Sequence, residues 1–312
     1  MTATQPQVSV VIPSGRQVRL SFTLEALARQ TLGRERFEVV VVQDGEQPAP
    51  SHPELDLRAI RGHGDGNIAA LRNLGWRAAR APLIAFTDDD CRPAADWLER
   101  MLDAADGSRM LFGRTEPDPD EDHLLHGLAR SQRIVELGNW YESCNAVYPR
   151  RILESLGGFD EDFARLGEDT DLALRALDAG AAFRFVDRAR VWHAVIPMGL
   201  VAALGQARRR DTIPLLIARH PRHRHALYKG VFWKRSHALV VVAALGLASR
   251  RPALALLAAL PWVAENTDPA VLTGGRWRLL RQLGHLGARA AVDSTEVATT
   301  VLAAARQRTL VI

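Results

Sequence analysis

The chain has 312 residues, 47% of them hydrophobic and 24% charged, a balance that excludes a disordered or fibrous protein. Its two cysteines, Cys91 and Cys144, exclude a disulfide framework and point to a reducing compartment. The net charge of +4 conceals a division: residues 195–312 hold 17 Arg and Lys against 5 Asp and Glu (+12), and residues 1–194 hold 23 against 31 (−8). Such asymmetry implies different surroundings for the two parts. The polar start, residues 1–7, lacks the basic-then-apolar layout of a signal peptide.

Residues 8–12, closed by Pro13, and 37–42, closed by Gln43-Asp44-Gly45, are near-continuous Val/Ile runs. Runs of this kind are strands covered on both faces, as in a parallel sheet. Between them Leu20, Leu24, Leu27 and Ala28 recur at helical spacing. A second helix is expected over 68–79, a strand over 83–86, and a third helix from about Ala95, carrying Trp97, Leu98, Met101 and Leu102. Residues 115–122 are rich in Pro and Asp and read as a loop, followed by a helix around 124–135. A short helix ends at Gly157-Gly158, another opens at Gly167-Glu168-Asp169-Thr170-Asp171, and residues 183–186 and 189–193 read as two short strands. Beyond 195 the strand signals stop. Alternating strand and helix argues for an α/β fold over 1–194 with a helical region over 195–312.

Reactive groups in such sheets gather at the carboxyl ends of the strands, where Asp44 and the run Thr87-Asp88-Asp89-Asp90-Cys91 fall. Three adjacent carboxylates repel one another unless a cation sits among them, and carboxylate oxygens suit Mg²⁺ or Mn²⁺. By itself the run could equally be a solvated acidic turn. Glu168 and Asp169 open a helix, where the dipole favours their ionised form. His193 closes a late strand; alone, it reads as a packed histidine as readily as a ligand. The run Gly62-His63-Gly64-Asp65-Gly66 fits neither the Walker nor the dinucleotide pattern and is expected to be a plain flexible connection.

Together these pieces resemble the inverting nucleotide-sugar glycosyltransferases of family 2, with the GT-A fold. The likeness covers residues 7–194. It rests on residues 8–13, Val42-Gln43-Asp44-Gly45, Ala70-Leu71-Arg72-Asn73, residues 84–90, Gly157-Gly158-Phe159-Asp160, residues 167–172 and Trp192-His193. One departure is Pro13-Ser14-Gly15-Arg16, where the family usually carries a Tyr-Asn-type pair. The resemblance implies a GT-A-type, mostly parallel sheet flanked by helices. It implies that Asp90 and His193 hold a divalent metal, Mn²⁺ or Mg²⁺. Pro13, Asp44, Arg72, Asp88 and Asp89 would bind the nucleoside-diphosphate sugar, Asp44 taking the nucleobase. Asp169, with Glu168 beside it, would be the general base that deprotonates the acceptor hydroxyl. Two alternatives stand beside this reading: a sugar-nucleotide-forming nucleotidyltransferase, which would want a Gly-rich, basic signature after the first strand, and a catalytically silent docking protein.

Residues 238–248 and 252–264 are apolar runs of 11 and 13 residues separated by Ser249-Arg250-Arg251, each short of the roughly 18–20 residues a spanning helix needs. Arg208, Arg209, Arg210, Arg219, Arg222, Arg224, Lys229, Lys234 and Arg235 precede them, and Trp233, Trp262 and Trp277 flank them, as aromatic residues do at membrane interfaces. The expectation is a hairpin (238–264) dipping into an anionic membrane surface, with a buried soluble hairpin as the alternative. A lipid-linked or cell-envelope glycan would then be the acceptor. The expected location is cytoplasmic, peripheral or monotopic on the inner face of the membrane. Nucleic acid is not an expected partner, because no groove-reading motif accompanies the basic stretch.

Overall fold

A computed structural model describes residues 5–15, 19–125, 127–267 and 275–312. Arg16 of the first-loop motif and residues 1–4 lie outside the described residues, as does the side chain of Trp277. The chain divides into two compact units, Met1–Leu125 with Arg130–Ile196 and His126–Ala129 with Pro197–Ile312.

The first unit is a mixed α/β fold. In chain order it comprises β1 (Val8–Ser14), α1 (Leu20–Ala28), β2 (Phe37–Gln43), β3 (Leu57–Arg61), α2 (Ile68–Ala78), β4 (Leu83–Thr87) and β5 (Cys91–Pro93). There follow α3 (Trp97–Ala104), β6 (Met110–Pro117), β7 (Asn145–Pro149), α4 (Arg150–Leu156), α5 (Glu168–Asp178) and β8 (Phe183–His193). One eight-stranded sheet has the order β3-β2-β1-β4-β7-β6-β8-β5. From β3 to β4 every pairing is parallel. Beyond β4 the sheet is mixed: β4–β7, β7–β6 and β8–β5 are antiparallel and β6–β8 is parallel.

The valine runs explain the layering. Alternate residues of a strand face opposite sides, so Val8, Val10, Ile12, Val39 and Val41 join one core with Leu24 and Leu27 of α1 and Trp97 and Met101 of α3. Val11, Val40 and Val42 join the other core with Leu71 and Trp76 of α2, Leu153 of α4 and Leu172 of α5. Burying each such side chain contributes about 1.5–3 kcal/mol. Close approach holds α2 down, since a Cβ at Gly75 would collide with Val11 Cγ1 and come within 3.1 Å of Val42 Cγ2.

Three local expectations are corrected. Among the described residues of 124–135 no α-helix forms: a 3-10 turn at Pro119–Leu124 gives way to chain pinned by bridges pairing Thr115 with Ile134 and Arg130 with Ile196. These pairings take the backbone groups a helix would have used, a tertiary override of local propensity. Residues 115–117 of the expected loop belong to β6. The two short strands at 183–186 and 189–193 are one, β8, which passes a register shift opposite Gly113/Arg114 without breaking. Edge strand β3 and the three-residue β5 carry no periodic signal of their own.

The second unit holds α6 (Leu200–Ala207), α7 (Ile213–Arg219), α8 (Arg235–Ala248), α9 (Pro252–Glu265) and α10 (Gly275–Gln307). A buried charged network joins three of them. Lys234 Nζ lies 2.9 Å from Asp293 Oδ1 and 2.6 Å from Glu296 Oε2. His237 Nε2 is 3.0 Å from Glu296, and Trp262 Nε1 donates to Asp293. Burial alone would raise the Glu296 carboxyl, but His237, Lys234 and Arg210 together bring it down to about 2. His237, Asp293 and Glu296 could geometrically take a metal; the Lys234 ammonium already supplies the positive charge between the two carboxylates. Trp262 is thus a buried network member and not an interfacial flank.

Helices α8 and α9 bury little else. A Cβ at Gly246 would meet Ala258 Cβ at 2.5 Å, so the two helices touch there, yet Val242, Leu245, Leu247, Leu254, Leu256, Leu257 and Leu260 are all exposed. No described helix is long and apolar enough to cross a membrane.

Candidate functional site

Strands β1, β2 and β4 run parallel and end on one edge of the sheet, which brings Ser14, Asp44 and the acidic turn Asp88–Asp90 together. Ser14 is the hinge of this edge: its carbonyl accepts from Asp44 N at 2.8 Å, and its hydroxyl donates to Asp89 Oδ2 at 2.7 Å. In the sequence Ser14 stands out only as part of the departure Pro13-Ser14-Gly15-Arg16, with no role assigned to it, although its place at a strand's carboxyl end is the signal that finds such residues. Its neighbour Pro13 is buried inside β1, in register with Val42.

The Gly62–Gly66 loop is not a plain connection. Gly64 N donates to Asp44 Oδ1 at 2.6 Å and Gly66 N to Oδ2 at 2.8 Å. Both glycines have positive φ, 79° and 73°, a conformation glycine adopts without steric cost. Asp44 therefore clasps the loop, using one acceptor site on each oxygen.

Arg72 of α2 is buried and central. Its guanidinium donates to Glu168 Oε1 through Nη1 and to Asp88 Oδ1 at 2.9 Å through Nη2, and lies 5.7 Å from the Phe159 ring centroid. Burial opposes its charge; Asp88, Glu168 and Asp169 more than offset that and raise its pKa. The carboxylates of the acidic turn and of the α5 N-terminus are thereby tied together. Asp169 opens α5 beside Glu168, and its Oδ2 accepts from Ser143 N at 3.2 Å. Burial first, then Glu168 and Glu142, push its carboxyl well above the usual range, with Arg72 opposing. Around it Arg72 Nε, Glu168 Oε2, Ser143 Oγ and Tyr148 Oη are buried with no hydrogen-bond partner among the described residues. Buried polar atoms are normally satisfied, so this is where a polar ligand has most to complete. Ser143 and Tyr148 gave no signal in the sequence.

On the opposite flank of the acidic turn, Asp90 Oδ1 lies 3.6 Å from His193 Nε2 and Oδ2 lies 3.4 Å from Arg130. Burial raises the Asp90 carboxyl, against His193 and Arg130. Asp89 is pushed up to about 6, chiefly by burial, with Asp90 and Asp88 adding to it and Ser14 opposing. His193 Nδ1 lies 2.8 Å from the Ala194 carbonyl. A carbonyl only accepts, so Nδ1 donates to it and Nε2 is the ring nitrogen that faces Asp90. Asp90, Cys91 and His193 offer ligand atoms within 4.8 Å of one another, so the donor set fits a divalent cation.

Residues 9–156 match the family described as Glycosyl transferase family 2, and residues 140–264 match Glycosyl transferase family group 2. The chain is a family 2 glycosyltransferase. It is 27% identical over 217 residues to the glycosyltransferase AglE of Haloferax volcanii, across 64% of this chain and 70% of that protein. It is 28% identical over 219 residues to validoxylamine A glucosyltransferase of Streptomyces hygroscopicus, across 56% of this chain and 48% of the relative, so it spans about half of that enzyme. Among solved structures, a mannosyltransferase of Pyrobaculum calidifontis, in complex with GDP-Man and Mn²⁺, superposes with a TM-score of 0.56 at 19% identity. The match covers 97% of this chain and 87% of that one. The glycosyltransferase fold is of GT-A type.

Replacing Arg72 by Leu strands Glu168 as an uncompensated buried charge. The expected cost is about 3–5 kcal/mol, read as a lower denaturation midpoint at unchanged slope.

Proposed function

We propose that the chain is a metal-dependent, inverting glycosyltransferase moving a sugar from a nucleoside diphosphate to a hydroxyl acceptor at a membrane surface. The observation that carries this reading is the continuous polar chain from Asp169 and Glu168 through Arg72 to Asp88, and along the acidic turn to Asp90 and His193. It joins a proton acceptor to a cation site across one strand edge. Asp90 and His193 hold the cation, which when bound neutralises the charge gathering on the departing diphosphate. Asp88, Asp89 and Arg72 line the donor's path, and Pro13 sets the strand end that presents Ser14. Asp44 has acceptor capacity beyond its two loop contacts, enough for an imino N–H of a nucleobase.

The chemistry assigned to this chain's residues is a single displacement. Asp169 takes the acceptor hydroxyl's proton, the freed oxygen forms its bond to the anomeric carbon, and the bond to the diphosphate breaks on the opposite face. A carboxylate raised by burial suits this role, because proton transfer is most effective when the base's pKa nears the working pH. The unpartnered Ser143 hydroxyl and Tyr148 hydroxyl stand beside it as groups to orient the acceptor.

The acceptor's setting follows from the second unit. Seven exposed leucines and valines on α8 and α9, in a region of charge +12, suit a peripheral or monotopic seat on an anionic leaflet, where each basic group contributes about 1 kcal/mol. A lipid-linked or envelope glycan acceptor and a place on the inner membrane face accord with that.

Asp90→Ala is expected to abolish the Mn²⁺-dependent part of nucleoside-diphosphate binding by titration calorimetry; equal affinity with and without the substitution would refute the metal role. Asp169→Asn should lower turnover by about 10²–10⁴-fold with donor affinity unchanged. Asp169 must be ionised to act, and its pKa is raised, so the parent's rate should climb with pH through a limb above the usual carboxylate value of about 3.9. That limb should be missing from the Asn variant. On anionic vesicles at low salt the protein should float, and at 1 M salt, where the Debye length falls to about 3 Å, retention should drop without vanishing. A chain that stays wholly with the soluble fraction at low salt removes the membrane from this reading.

A further inference from the structure

Around the acidic turn, Arg130 leaves its donors far less committed than its neighbours do. A guanidinium carries five N–H donors. Arg72 spends its own on Asp88 and Glu168, and Arg92 grips Asp118 at 2.8 and 2.6 Å. Arg130 makes a single side-chain hydrogen bond among the described residues, from Nη2 to Asp90 Oδ2 at 3.4 Å. That is long for a charge-assisted bond, which normally measures about 2.7–2.9 Å. Its Nε is buried with no hydrogen-bond partner, and an unmatched buried donor is costly. The side chain as a whole is 37% exposed, so a ligand can reach it.

The root of this side chain is fixed. Arg130 N donates to the Ile196 carbonyl at 2.9 Å, and Ile196 N donates to the Arg130 carbonyl at 2.8 Å. Beside it Ser131 Oγ donates to the His193 carbonyl at 3.1 Å, and Ala194 N donates to the Asp90 carbonyl at 2.9 Å. The exit of β8 thus fastens the backbones of Arg130 and Asp90 to one place. His193 Nε2 faces the other carboxylate oxygen, 3.6 Å from Oδ1. A firmly rooted but weakly bonded cation beside a candidate metal ligand is a group that can change partners.

We propose that Arg130 holds the place of the metal ion at Asp90 and moves to the diphosphate when donor and ion bind together. The inference rests on the reading of Asp90 and His193 as the cation site. Arginine and ion compete for one carboxylate, so the ion binds weakly until a diphosphate draws the arginine away. The guanidinium fork matches phosphate oxygens in bidentate fashion, and such a contact would satisfy Nε. The charges also balance. A sugar nucleotide's diphosphate is a diester; when its bond to the sugar breaks, the electron pair stays on the departing oxygen and uncovers one more negative charge. Arg130 meets that charge and keeps its own proton. A contact that strengthens as the bond breaks raises turnover rather than merely tightening the ground state.

Calorimetry of the full chain at pH 8, with Mn²⁺ and with UDP, GDP, ADP and dTDP, tests the exchange. In the parent, Mn²⁺ and the preferred diphosphate should each raise the other's affinity by the same factor, as linkage requires. Arg130→Gln removes the competing charge and should bind Mn²⁺ alone about two- to fivefold more tightly. The same variant should bind the diphosphate in Mn²⁺ about 10–100-fold more weakly, with the matching nucleoside monophosphate bound as in the parent. Arg130→Lys keeps the charge and should recover part of the diphosphate affinity. A merely structural role would move both affinities in one direction; opposite signs are the signature of exchange, and tighter Mn²⁺ binding itself reports a folded variant. Unchanged diphosphate affinity in Arg130→Gln, or Mn²⁺ binding that stays equal or weakens, overturns the exchange and leaves the cation site standing. A parent that binds neither Mn²⁺ nor any of the four diphosphates overturns the cation site and this inference with it.

Discussion

The buried guanidinium of Arg72 is the interaction on which the rest of the site depends. A charge taken out of water is costly unless paired with good geometry, and Arg72 meets that condition with two carboxylates, Asp88 and Glu168, from different elements. Each acid needs the cation as much as the cation needs them. The helix that carries Arg72 can approach the sheet only because Gly75 leaves room over Val11 and Val42. One glycine in a helix interior, unfavourable by propensity, thus sets the position of the central charge.

The carboxylates around that charge are held by different partners. Asp88, paired with Arg72, takes the salt bridge. Asp89 and Asp169 are raised mainly by burial, and Asp90 is pulled between burial and its neighbours His193 and Arg130. Asp44 serves another end by organising the glycine loop through backbone donors, which gives a flexible segment a defined seat at the strand edge.

The second unit solves a different problem. Lys234, His237, Trp262, Asp293 and Glu296 form a buried network in it beside buried Ile213, Leu216, Ile217 and Val292, while seven leucines and valines of α8 and α9 are exposed.

The strands β1, β2 and β4 and the helices α1, α2 and α5 were legible because a strand buried on both faces needs an unbroken apolar run and an amphipathic helix needs its spacing. Strand ends pointed to Asp44, Asp88–Asp90 and His193, and the helix start to Glu168 and Asp169. The helix expected over 124–135 failed because Thr115 and Ile196 lie too far along the chain for local propensity to anticipate their bridges. Strand β5 was invisible because three residues have no period; only pairing with β8, about 100 residues later, makes it a strand. By itself, then, the sequence determined which chemistries gather at the sheet's carboxyl edge, since periodicity and composition are local. Only the tertiary structure decided that Arg72 bridges residues 16 and 96 positions away, that Asp44 clasps the glycine loop, and that Cys91 faces His193. Those partners are chosen by sheet register and burial, which no local stretch of chain contains.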